Sequence, residues 1–120
     1  KQSDDEIAEA KKIIYDALAG GKSFIANDYH ADSTGFRFFA ETDDKVYQMG
    51  DYIDSVDKVK LKVLLPVQSA EIRLIRNGKT IATAENKEAE FLINENGVYR
   101  VEVFIHKKAW IYTNHIRIGL

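Results

Sequence analysis

The sequence predicts a mostly β domain: an immunoglobulin-like antiparallel β-sandwich with one N-terminal α-helix. Three observations predict it. Over 97–105, Tyr99, Val101, Val103 and Ile105 fall on one face of an extended chain, and Arg100, Glu102 and the following His106 on the other, the period of two of a half-buried strand. The turn-rich approach Asn94-Glu95-Asn96-Gly97 then places Tyr99 two residues before the inward Val101. That is the spacing of a tyrosine corner, in which the hydroxyl bonds back to the backbone upstream, with Val101 in the position that antibody domains give to cysteine. Finally, seven or more short strand patterns recur with turn signals about every ten residues.

Bulk properties narrow the functional classes. A chain of 120 residues fits one domain with at most one added element. It is long enough to fold without a disulfide or a metal. A formal net charge of -2 lacks the clustered cationic excess of a nucleic-acid surface. With no cysteine there are no disulfides and no thiolate metal sites, while the compartment, cytoplasmic or periplasmic, stays open. No apolar run is long enough for a membrane-spanning helix, and no signal-peptide pattern is present. The chain begins at Lys1, as an excised or processed piece would.

The elements follow in order. Ser3-Asp4-Asp5-Glu6 reads as a capping box, and the two aspartates suit the positive end of a helix dipole. Ile7, Ala10, Ile14, Ala17 and Leu18 form an apolar stripe at helical spacing, and Gly20-Gly21 supplies a left-handed stop. The spacing predicts a helix over 4–19, so residues 1–22 separate from a β domain over 23–120. Strands are predicted over 23–29 and 36–41, the latter with Phe36 and Phe38 on one face and Arg37 and Phe39 on the other. Residues 42–57 read as polar and irregular. Over 58–65, Val59, Leu61, Val63 and Leu65 point inward and Lys58, Lys60 and Lys62 point into water. A strand over 70–76 turns through Asn77-Gly78, the strongest hairpin signal in the chain, because both positions tolerate positive φ. It returns over 79–84. Residues 85–88 read as a polar turn, Phe91 and Ile93 mark a short strand, and His106-Lys107-Lys108 turns the central strand into 109–113. A last piece runs over 116–118.

Several phrases in this order resemble the C-terminal region of bacterial PHP-family (polymerase and histidinol phosphatase) metal-dependent phosphoesterases. The helix end and the residues after it, 16–24, look like that family's closing helix. Gly35-Phe36 and Met49-Gly50-Asp51 match short phrases. Residues 70–78 resemble the hairpin of its appended sandwich, and 97–101 and 109–114 its last strands. Lys22 stands where arginine is usual, and His115 follows Asn114 where proline is expected. The resemblance implies an accessory domain whose partner is the catalytic domain of the same polypeptide. The divalent metals of the family, which activate water and neutralise phosphate charge, would be held upstream of the closing helix. It implies no cofactor and no catalytic residue in this chain. The helix stripe needs a partner: the catalytic domain, the sandwich, or a second copy of the chain.

Candidate chemistry is sparse. His30, His106 and His115 form no zinc-like pair. Asp28-Tyr29-His30 is the one group suggestive of a metal, and a loop role is the plainer reading. Asp43, Asp44, Asp51, Asp54 and Asp57 are acidic, but lack the fixed spacing of a calcium loop. Trp110 and Tyr112 lie on one strand face. Together with Phe36 and Phe38 they are the candidate binding aromatics for the rival reading, a free-standing module that takes a glycan or a protein. Gly97, Tyr99, Asn77 and Gly78 are the candidate structural positions.

Overall fold

The computed structural model describes residues 24–43 and 45–119. The predicted helix over 4–19 and the division at residue 22 lie outside the described residues. Within them are β1 (Phe24–Ala26), β2 (Arg37–Glu41), β3 (Val46–Gln48), β4 (Tyr52–Ile53), β5 (Val59–Leu64), β6 (Ala70–Arg76), β7 (Lys79–Asn86), β8 (Glu88–Ile93), β9 (Gly97–Ile105), β10 (Lys108–Thr113) and β11 (Ile116–Ile118). They form two sheets. One runs β7-β6-β9-β10-β1, with β11 also on β9 and β4 beside β11; the other runs β3-β2-β5-β8. Every pairing is antiparallel except that of β11 with β4.

The alternation read in the sequence decides which side chains meet. Phe38, Val59, Leu61 and Val63 of the smaller sheet share one core with Ile72, Leu74, Val101 and Val103 of the larger. Both sheets are therefore apolar on the face they turn to each other, which is what holds two layers together. The expected strand ladder corresponds closely to β5, β6 and β9.

Four local expectations are corrected. Residues 42–57 contain the short strands β3 and β4. β4 is held by backbone bonds to the last strand: Arg117 N–H donates to Asp51 C=O at 3.1 Å and Gly119 N–H to Ile53 C=O at 2.7 Å. Residues 85–88 are not a turn. β7 continues to Asn86, and only Lys87 separates it from β8 in the other sheet; its C=O accepts the Leu65 N–H at 2.9 Å. The first strand shrinks to 24–26. Lys58 is not on a strand: it sits at φ 55 in a turn and pairs with Asp43 at 3.3 Å.

Two irregularities shape the larger sheet. The β9–β10 register shifts between Ala109 and Ile111, so Trp110 is an extra residue on β10. Such a bulge lets neighbouring side chains turn the same way, and both Trp110 and Ile111 are buried. Further along, β10 pairs with 102–105 of β9 and β11 with 97–99, which leaves the Val101 backbone between them. Thr113 fills that gap. Its Oγ1 accepts the Val101 N–H at 2.9 Å and donates to the Val101 C=O at 3.3 Å.

Candidate functional site

The aromatic binding face is overturned by burial. Phe36, Phe38 and Trp110 belong to the core, Trp110 only 1% exposed. Trp110 Nε1–H donates to Ala31 C=O at 2.9 Å, so its polar edge holds the 27–35 loop in place. Tyr112, half-buried opposite Glu102, does not form an open strip with it. Phe39, on the opposite face of β2 from Phe38, is also buried, with the Arg37 guanidinium 4.4 Å from its ring centre.

Asp28 and His30 are loop residues. The Asp28 carboxylate accepts the Ser33 N–H at 3.3 Å, and the His30 ring lies edge-on to Tyr29. Among the described residues no three His, Asp or Glu side chains gather where a metal could sit. Of the acidic residues over 43–57, Asp51 accepts the Gln48 N–H at 2.7 Å within its turn, and Asp43 pairs with Lys58. Lys62 is no simple solvated cation. It lies between Glu41 at 3.1 Å and Glu90 at 3.6 Å, and the hydrogen bond to Glu41 raises its pKa above the ordinary lysine value.

The four structural candidates converge. Asn77 and Gly78 take positive φ in the two-residue β6–β7 turn. Asn77 N–H donates to Val98 C=O and Asn77 Oδ1 accepts the Val98 N–H, both at 2.9 Å. Arg76 Nε donates to Asn96 C=O at 2.8 Å, and its guanidinium pairs with Glu95 at 3.2 Å. Gly97 leaves room for this approach: a Cβ there would stand 2.9 Å from Arg76 Nε and would displace the Arg76 side chain. Tyr99 completes the corner: its hydroxyl donates to Glu95 C=O at 2.6 Å, and burial raises its pKa.

This corner closes one end of a cleft of about 360 Å³ between the sheets. Its floor is Leu74, Phe91, Ile93 and Tyr99, and its β7 wall is Ile81 and Ala82. Arg76 and Glu95 at the rim neutralise each other. Beside the cleft Ile81 is 50% and Leu92 71% exposed. β7 and β8, which flank it, are each the last strand of their sheet. The arrangement can accept apolar side chains and backbone hydrogen bonds. In the sequence Phe91 and Ile93 mark a strand and Glu88 falls in the expected turn, while the outward Glu90 and Leu92 of the same strand carry no expectation. The alternation of Glu-Ala-Glu-Phe-Leu was the available signal.

In comparison with known proteins, no family model matches the chain, and no curated protein or solved structure matches it significantly.

Proposed function

We propose that this chain is a non-catalytic accessory domain of the immunoglobulin-like sandwich class, following the catalytic domain of a PHP-type metal-dependent phosphoesterase and supporting that domain or its partner contacts. The fold reading is supported by strand order. β2-β5-β8 facing β7-β6-β9-β10 follows the succession A-B-E and C′-C-F-G, with the tyrosine corner where E passes to F. The family reading is carried by one observation. Two phrases far apart in the chain that resemble the family's, Arg76-Asn77-Gly78 and Gly97-Val98-Tyr99, meet in a single hydrogen-bonded corner. In this reading those phrases maintain the fold, and the metal chemistry belongs to residues before the closing helix.

The chain, assayed with bis(p-nitrophenyl) phosphate and added manganese or zinc, gives no turnover above the metal-only blank. Turnover at enzyme-like rates overturns the reading. The coding frame upstream of Lys1 distinguishes the rivals: His-x-His and acidic ligand motifs there support the phosphoesterase, and a signal peptide directly upstream supports a free-standing binding module. The cleft between β7 and β8 favours that second reading.

A further inference from the structure

The strand edges of this molecule are not equivalent. β1, β3 and β4 are two or three residues long, and short edges offer little to pair with. β7 is longer, but its register on β6 shifts between Leu74 and Ile75, making Ile81 an extra residue. A bulge of this kind guards an edge against another strand. β8 has no such guard. Its six residues pair with β5 in one unbroken register, from Val59 opposite Ile93 to Leu64 opposite Glu88. Among the described residues nothing pairs with its outer side.

The outward side chains of β8 carry a charge pattern. Glu88, Glu90 and Leu92 stand opposite Leu64, Lys62 and Lys60 of β5. Lys62 reaches both Glu41, diagonal to it on β2, and Glu90, directly opposite it on β8, so a cation of β5 faces an acid on the outermost strand and that row ends on Glu90. Opposite charges placed directly across a strand pair stabilise it, and like charges destabilise it. The next strand in the row is thus specified: cations opposite Glu88 and Glu90, and an apolar side chain opposite Leu92. Its alternate residues, opposite Ala89 and Phe91, would turn inward, where the cleft lies open to Ile81 and Phe91.

We propose that β8 is a docking edge for an extended segment of a partner protein, added antiparallel as the fifth strand of the smaller sheet. Read from its N-terminus, the segment carries apolar–apolar–cation–apolar–cation. The mode is strand addition, in which main-chain bonds supply affinity and alternate side chains supply specificity. This goes beyond the accessory-domain reading and does not depend on it.

The test uses the full chain and two short labelled peptides, one built on Leu-Val-Lys-Val-Lys and one on Leu-Val-Glu-Val-Glu. Fluorescence anisotropy gives binding, and amide hydrogen exchange locates it. The lysine peptide binds and slows exchange over 88–93, and the glutamate peptide does not bind. In the E88K/E90K variant the lysine peptide binds about tenfold more weakly, since two charge pairs become like-charge contacts, and the glutamate peptide now binds. Equal binding of both peptides, binding of neither, protection on β7 instead of β8, or a sedimentation result showing a second copy already on this edge overturns the proposal. The charge swap guards against misfolding, because an unfolded variant would not gain a ligand.

Discussion

Thr113 stands where the larger sheet loses its ladder, with one hydroxyl serving both the N–H and the C=O of Val101. Thr113 and Val101 are both fully buried, so no water can replace it. Thr113→Val keeps the shape and removes both bonds; it lowers stability by about 1–3 kcal/mol in urea denaturation, and Thr113→Ser recovers most of the loss. Tyr99→Phe strips the Glu95 carbonyl of its donor and costs about 1 kcal/mol by the same measurement. His115 gives the domain a pH dependence. Burial, then the cations Arg100 and Arg117, hold its pKa below the ordinary 6.5. The unfolded chain therefore binds the proton more readily than the folded one. Stability is full above 6.5, falls as the pH drops through 6.5 towards the lower folded value, and levels off below that. His115→Gln flattens this part of the stability–pH curve measured by thermal unfolding.

At the scale of elements, the two tight hairpins use different chemistry for one geometry. The β6–β7 turn places Asn77 and Gly78 at positive φ; the β9–β10 turn asks the same of His106 at φ 50 and Lys107 at φ 66, with no glycine. Left-handed backbone costs a side-chain-bearing residue more than it costs glycine. Lys107→Gly therefore raises the melting midpoint, because relief of the left-handed backbone, about 1–2 kcal/mol, exceeds the roughly 0.5–1 kcal/mol of extra chain entropy that glycine loses on folding, whereas Gly78→Ala lowers it. These elements also show what a sequence can reveal. Asn77-Gly78, the tyrosine corner and the β5, β6 and β9 alternation were legible because each is set by neighbours in the chain. The strands β3 and β4 were not, since two or three residues carry no period and the C-terminal strand holds β4. Trp110 was misplaced because one extra residue breaks the alternation that put it beside Tyr112. Phe36 and Phe38 were sorted onto a face correctly, but a period of two does not say which face is covered. Lys87 reads as part of a turn, yet its role is to pass the chain between sheets. The cleft needs both sheets to exist, so only the charge pattern of β8 was visible beforehand.

The molecule as a whole is two sheets that share one interior, and the smaller of them ends on the unbroken edge strand β8. Val59, Leu61 and Val63 meet Leu74, Val101 and Val103 in that interior, all at most 2% exposed. Layers that share a core in this way lose it together, so the sheets unfold as one unit. Chain order places β8 away from the side where the polypeptide comes into β1, since β1 and β7 close opposite ends of the larger sheet and the cleft brings β7 and β8 together. Native-state amide hydrogen exchange on the unliganded chain tests both halves of this claim at once. The slowest amides of β5, β6 and β9 exchange with one common opening free energy, while those on the outer side of β8 exchange fast. Separate opening free energies for the two sheets, or strong protection along the outer side of β8 in the free chain, contradict it.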